Sequence, residues 1–561
     1  SSSGQIGFLN ADSVLHWGVR ADDRWHIARD ERAIRQGIAE DGVSIETRLR
    51  VPGGDIVHRA SSTPFKDSSL VVVEVENETP VPIALALFVN EKGVWKRKGE
   101  TLNRDQIPFV RANKSISDFR LAASEADLFR LVKSELNQSA EGRCGSEEGS
   151  YVAIIFPLPH ASVLRFVLRS EPSHNPLPSP DDLPSLDGIA NGWHVHFSQG
   201  AVVDVHDGRL QNALLSARRH LLLGSGQSPT SPYWRRGVPT YTSAIAVVAM
   251  CMWGHNDASK RLLLRLINDQ PITTFRRPDI EETCYLLWAC NEFILMQQDD
   301  EIVEAVSAWA TEQIGRLLEL IPRWARRIRD YSFLHLGLES SVSLLQRAHR
   351  EEEAQQLEAA LPKIYKRSFI SFQQGSLPSA LLDREQSSKT LLQFLNTYIG
   401  DSQGVGSFDE SMAIAETTSI FASDERLQDP LASAVFLLAL RRALVSQPIR
   451  EIPITALLPD YDSRWFNVPI EVSGMPTRNG KIGYALRWHG NRPAILWEGE
   501  SNSEVTIVAP GLDAGWQSFE SRGEALFPEQ KPQETPIPLI SPAIQKSSNP
   551  PPKPQSGNAH S

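Results

Sequence analysis

Four short stretches of the sequence each combine aromatic rings with charge: PYWRRG at 232–237, FRRPDIEE at 275–282, RWARRIRDY at 323–331 and GVGSFDE at 404–410. Together they carry Glu281, Glu282, Asp409 and Glu410 as candidate catalytic acid and base. Trp234, Trp324 and Tyr331 are candidate stacking surfaces, and Arg235, Arg276, Arg277, Asp279 and Asp330 are candidate polar contacts to a substrate. Aromatics with paired carboxylates suit a sugar: rings stack on its C–H faces while one carboxyl donates a proton and the other activates a nucleophile. In inverting glycoside hydrolysis the two carboxyls stand about 6.5–9.5 Å apart, leaving room for a water. The arginine excess points to an anionic ligand such as phosphate, a sugar phosphate or a uronic acid. The same residues also have a purely structural reading, because carboxylates at helix starts are stabilised by the helix dipole and by capping. Asp279 and Glu282 have the spacing of a capping box, and Asp409 can cap its own helix.

Those stretches must be brought together by the segments that follow them. Residues 239–253 (PTYTSAIAVVAMCMW), 280–296 and 331–345 are apolar on most faces. Residues 258–268, 302–320 and 351–364 are each apolar on one stripe only, and 408–421 with 430–444 forms a less regular fourth pair. Helices apolar all round must be surrounded by protein, whereas one-striped helices can face water. Alternation of the two kinds is what an α/α toroid requires: inner helices are encircled by outer ones, run in one direction and open their N-termini on one face. Residues 204–223 and 387–398 read as further helices, still short of six full hairpins. Trp253, Trp288, Cys284 and Cys290 lie inside the apolar helices and read as core.

The flanks change period. Residues 44–51, 70–76 (LVVVEVE), 81–89, 151–156, 163–168 and 192–198 read as strands of a large sandwich. A weakly helical patch lies at 124–138, and 170–186 (SEPSHNPLPSPDDLPSL) reads as a long mobile Pro/Ser loop. Residues 466–472, 483–488, 494–497 and 504–508 read as short strands. The expected division is therefore an N-terminal β-sandwich at 1–205, an α/α-hairpin toroid at 206–450, a small C-terminal β domain at 451–530 and a disordered Pro/Ser-rich tail at 531–561. In YALRWHGNRPAILWE at 484–498, Arg487, His489 and Arg492 either line a groove beside Trp488 or pack the small domain against the helices.

Composition narrows the classes. A net charge of −11 gives no field for nucleic acid, and no run of about 20 apolar residues is present to span a membrane. The first residues lack a signal-peptide pattern and an initiator Met, so the expected location is the cytoplasm, with the true N-terminus missing. Four cysteines with no C-x-x-C pair suggest buried free thiols and neither a zinc site nor any other metal. His220, His255 and His335 have no ligand spacing, no phosphate loop follows the GVG at 404–406, and no cofactor is implied.

The order of parts resembles the six-hairpin glycosidase superfamily, which includes glucoamylase-like hydrolases and disaccharide phosphorylases. The phrases RWHGNRPAILWE, APGLD and WGVRADDRWHI also look like a group of actinobacterial proteins with this layout. For the glycosidases the resemblance rests on layout and on turns such as MWGHNDASKRLL. It implies a carbohydrate-active enzyme with a sugar or sugar-phosphate ligand. It carries over no catalytic residue, because the family's acid and base motifs match no position. A catalytically silent glycan-binding or scaffold protein and a phosphate-dependent phosphorylase are the alternative expectations.

Overall fold

A computed structural model describes residues 3–7, 14–39, 43–65, 68–133, 150–169, 173–206, 208–226, 234, 241–269, 277–297, 300–324, 332–368, 377, 381, 430–447, 453–461, 465–501 and 505–531. The expected helices at 387–398 and 408–421 and the expected tail beyond 531 lie outside these residues.

The N-terminal part is a sandwich of two antiparallel sheets. One has six strands, including Val14–Ala21, Ile83–Gly93 and Ser150–Leu158; the other has eight, with Ile45–Val51, Gly54–Phe65, Ser68–Asn77 and Val163–Arg169 in adjacent positions. Period-2 alternation sends Trp17, Leu85 and Phe156 from one sheet and Leu49, Val73 and Phe166 from the other into one core. Helix α1 (Glu125–Lys133) covers the back of the first sheet, with Leu128 and Val132 packed on Phe88 and Ile155.

Two expectations change here. Residues 192–198 form no strand; they end helix α2 (Leu186–Ser198). Ser185 caps it by accepting from the Gly188 amide at 3.1 Å, and Leu186 and Ile189 then pack on Leu70, Val72 and Val167 behind the second sheet. The apparent alternation of the 192–198 segment concealed a period of 3.6. Over the described residues from 173 onward, the Pro/Ser segment is also no free loop. Arg169 donates to the carbonyls of Ser173 and Asn175, and Arg165 donates to those of Pro180, Leu183 and Pro184.

Helices α3 (Gly208–Ser225), α4 (Thr242–Met252), α5 (Asn256–Asp269), α6 (Arg277–Gln297), α7 (Asp300–Trp324), α8 (Ser332–Arg347), α9 (Glu351–Ser368) and α10 (Pro430–Leu444) make up the helical part. Helix α3 starts four residues later than the sequence suggests, because Val202–Val205 is a strand paired with Ile470–Thr477. The alternation holds for the first three pairs: in α4 every residue from Thr242 to Cys251 is buried, while α5, α7 and α9 bury single stripes such as Leu262, Leu263 and Leu266. In the expected fourth pair the later helix, α10, is itself enclosed, with every residue buried but Arg442.

Helix α4 packs on both α6 and α10, and α6 packs on α8; α5 lies against α4, α7 against α6 and α8, and α9 against α8. The first helix of this part, α3, packs on the last, α10. Among the described residues this is an arc of inner helices backed by outer ones, with its two ends brought together. The four-stranded sheet (Val445–Ser446, Ile454–Leu457, Thr506–Ala509, Asp513–Ser518) and the five-stranded sheet begun by Val202–Val205 share one apolar core with the helices.

Candidate functional site

Inner helices α4, α6 and α10 finish together. Met252, Trp288, Glu292, Met296, Arg441 and Arg442, all from their later turns, surround one small void of about 40 Å³. The Trp253 Nε1–H at the end of α4 donates to the Leu437 carbonyl of α10 at 2.9 Å. Their N-termini therefore share the other end. There Tyr241 stacks on Tyr285 with ring centroids 4.1 Å apart, and α8 enters so close to α6 that Gly337 touches Cys284.

Along α6, Glu281, Tyr285, Trp288 and Glu292 recur at intervals of four, three and four, which places them on one face. Trp288 and Glu292 line the void between the inner helices, so this is the face turned to the inside of the arc. Glu281 is half-buried and stands one turn before Tyr285. Glu282 is buried, away from that line. Asp279 is half-buried, and its backbone carbonyl accepts from Thr283 Oγ1 at 2.8 Å. Because α6 opens at Arg277, Asp279 lies in its first turn and is not the N-cap. Trp234 is buried, which suits a packing role more than a stacking surface. Arg277 is in the first turn of α6, and Trp324 is the last residue of α7. Arg235, Arg276, Asp330, Tyr331, Asp409 and Glu410 lie outside the described residues, so the pairing of Glu281 or Glu282 with Asp409 or Glu410 does too.

The opposite end holds charged residues that the sequence reading did not select. Arg441 is buried in α10; its guanidinium donates to the Val445 carbonyl and, at 2.8 Å, to the Pro476 carbonyl. Burial, and then the neighbouring Arg478 and Arg442, lower its pKa to about 9. Glu292 is only 2% exposed and meets Arg478 at 3.4 Å. Arg478 sits in the turn between Ile470–Thr477 and Gly480–His489, and its amide donates to Gln447 Oε1 at 2.8 Å. A second buried junction joins α2 to the helical part. Arg218 donates to His255 Nε2 at 3.0 Å and to the Phe197 carbonyl at 2.6 Å, and burial drives the His255 pKa down to about 3. One signal for these residues was present in the sequence: a Glu or an Arg within an otherwise apolar helix requires a partner.

Cys251, Cys284 and Cys290 are buried free thiols, and Trp253 and Trp288 are core, as their positions implied. The C-terminal stretch packs. Trp488 donates to the Val468 carbonyl at 3.0 Å and lies against Phe466, Arg487 pairs with Glu471, and Arg492 donates to the Phe527 carbonyl. No group of His, Cys, Asp and Glu that could hold a metal occurs among the described residues, and no described helix is long and apolar enough to cross a membrane.

The architecture is that of a mixed α and β chain in which several sheets flank paired helices. No family model and no curated protein matches the sequence. Solved structures that match include a bacterial glucoamylase complexed with acarbose, at 11% identity and a TM-score of 0.41 over 65% of this chain and 64% of that one. An alpha-L-rhamnosidase from Dictyoglumus thermophilum matches at 9% and 0.37 over 84% and 59%, and a polysaccharide lyase at 9% and 0.20 over 75% of each chain. The chain thus spans less than two thirds of the glucoamylase and of the rhamnosidase. TM-scores this low leave the function to be argued from the residues themselves.

Proposed function

We propose that the chain is a carbohydrate-active protein that takes a sugar or sugar-phosphate ligand at the N-terminal ends of its inner helices. The observation that carries this reading is the line Glu281–Tyr285 on the inner face of α6, with Tyr241 stacked on Tyr285. Tyr241 is half-buried and stacks on Tyr285, so part of its ring surface is accessible to a sugar's C–H groups. Glu281, one turn nearer the helix start, is the better of the two glutamates for proton transfer, and Asp409 or Glu410 is its intended partner across the mouth. In this reading the chemistry is glycoside hydrolysis by two carboxylates: one protonates the leaving oxygen and the other activates water.

A catalytically silent glycan-binding protein is the second reading. It is favoured by the burial of Glu282 and by the place of Asp279 in the first turn of α6, where a carboxylate stabilises the helix without any ligand. A glycan-array screen combined with a reducing-sugar assay, with and without phosphate, separates the readings. Hydrolysis predicts release that Glu281→Gln lowers by about a hundredfold or more while glycan binding is kept. Release that survives both Glu281→Gln and Glu410→Gln refutes the assignment. Binding without release selects the silent protein, and release that needs phosphate and is lost in Arg276→Ala selects phosphorolysis.

A further inference from the structure

We infer a second ligand site at the opposite end of the inner helices, a pocket for a small oxyanion about the size of a monosaccharide. A cavity of about 410 Å³ lies there, between the ends of α4 and α6 and the turn that joins Ile470–Thr477 to Gly480–His489. That volume falls within the range of about 300–1,000 Å³ in which small-molecule sites lie. Its wall contains two cations, Arg478 and Lys481, and neutral hydrogen-bonding groups that include Asn256, Gln297, Thr477 and Asn479. None of its lining residues carries a carboxylate. The nearest one, Glu292, is buried behind Arg478 in the smaller void, and Glu500, the cross-strand neighbour of Lys481, does not line the cavity. Arg441, behind the same wall, is a third cation, set against Glu292 and the negative C-terminal ends of α4 and α6.

The polar groups are held in place before any ligand arrives. Gln297 Nε2 donates to Asn256 Oδ1 at 2.7 Å, which leaves the Asn256 amide hydrogens and the Gln297 carbonyl oxygen for a ligand's hydroxyls. Thr477 Oγ1 donates to the Gly480 carbonyl at 2.8 Å and accepts from the Asn479 amide at 3.3 Å, fixing the turn. The amide of Arg478 is tied to Gln447, and its side chain is shared between Glu292 and the cavity. Gly254, Gly474 and Gly480 have φ of +82°, +65° and +126°, so the wall is bare of side chains where the backbone turns. Cations with fixed donors and acceptors suit a carboxylate or phosphate attached to, or accompanied by, hydroxyls.

Because Glu292 and a bound anion compete for Arg478, the site makes a prediction of opposite signs. Calorimetric titration of the full chain with gluconate, inorganic phosphate and neutral glucose tests it. Gluconate or phosphate should bind measurably at about 10 mM or below, and glucose more weakly than gluconate. Glu292→Gln should tighten anion binding severalfold. Lys481→Met, at an exposed position, and Arg478→Met in the Glu292→Gln background should each weaken it, the latter by about tenfold or more, as expected for loss of a charged hydrogen bond. The double variant leaves no unpaired carboxylate inside, and a thermal melt checks that it folds. No binding of either anion, equal binding of glucose and gluconate, or binding unchanged in Lys481→Met and in the double variant would overturn the proposal. None of these variants touches the N-terminal mouth, so sugar cleavage there stands or falls separately.

Discussion

The inner arc can be tested with two glycines that should respond in opposite directions to the same substitution. Gly337 lies in α8 where it crosses α6, and a methyl group added there would stand 2.7 Å from Cys284 Cβ and 2.8 Å from both its Cα and its Sγ. Carbon atoms in good contact are about 3.5–4.0 Å apart, so three contacts are short by roughly 0.7 Å or more. One is to backbone, and the helices must part to relieve it. Overpacking of this kind costs about 1–3 kcal/mol, while Ala in place of Gly in a helix interior gains up to about 1 kcal/mol. Gly337→Ala should therefore destabilise the chain by about 1–2 kcal/mol net. Gly315 lies on the exposed face of α7 with nothing within 4 Å of the added methyl, so Gly315→Ala keeps only the gain, about 0.5–1 kcal/mol. Urea unfolding followed by far-ultraviolet circular dichroism gives both shifts in midpoint. Cys284→Ala removes the Sγ contact and should reduce the cost of Gly337→Ala by about 0.5 kcal/mol or more. If Gly337→Ala raises the midpoint as Gly315→Ala does, α6 and α8 do not touch there, and the inner arc loses one of its joints.

Acid should weaken the fold through histidine. Burial holds the folded pKa of His58 and His220 at about 4 and of His255 at about 3, all below 6.5, so the unfolded chain binds more protons in that interval. The stability they contribute is complete above about pH 6.5 and falls as pH drops towards 4, with a slope of up to about 4 kcal/mol per pH unit for the three together. His255→Gln should remove about a third of that slope in urea midpoints measured from pH 7 to 4. Cys251, Cys284 and Cys290 should be unreactive to an aromatic disulfide reagent until the chain is unfolded, since burial raises each thiol, that of Cys251 to about 12. Trp253→Phe removes the indole donor to the Leu437 carbonyl, which keeps its own helical N–H partner inside α10, and should cost about 0.5–1.5 kcal/mol in urea unfolding. Arg478→Met alone removes an ion-pair partner of the buried Glu292 and should destabilise the chain more than Arg478→Met combined with Glu292→Gln in urea unfolding.

The helical part was the most legible in the sequence because its signal is local. The run CYLLWACNEFILM gives α6 no polar face, and SKRLLLRL gives α5 one, so which helix is enclosed can be counted along the chain. Strands with the strongest alternation, such as Ser68–Asn77 and Val163–Arg169, were legible for the same reason, whereas Val14–Ala21, Gly54–Phe65 and Ile107–Ala112 were not read as strands. The misses have long-range causes. Residues 192–198 alternate like a strand, and only the cap at Ser185 and the sheet behind Leu186 and Ile189 make them helical. Val202–Val205 joins a sheet whose next strand lies more than 260 residues further on, a pairing that no local pattern contains. The Pro/Ser segment is fixed by Arg165 and Arg169, which sequence alone shows as strand residues with charge. Of the twelve candidate site residues, six fall outside the described residues, and Trp234 is explained by burial.

The charges at the two ends of α6 need different explanations. Asp279 stands in the first turn of α6, where the dipole is positive, with Glu281 and Glu282 in the turn after it, and Arg441 and Arg442 stand in the last turn of α10, where it is negative; the dipole favours Asp279 and the two arginines. Glu292 is the exception, because a carboxylate about one and a half turns from a helix C-terminus gains nothing from the dipole and is penalised by burial. Its position therefore depends on Arg478, carried in by a turn nearly 190 residues away, and on the charges gathered around Arg441. That dependence couples the C-terminal sheet to the inner helices through an ion pair as well as through Tyr484, whose hydroxyl donates to the Leu444 carbonyl at 3.1 Å. A change at Arg478 must then act on the hairpin, on Glu292 and on the cavity wall at once.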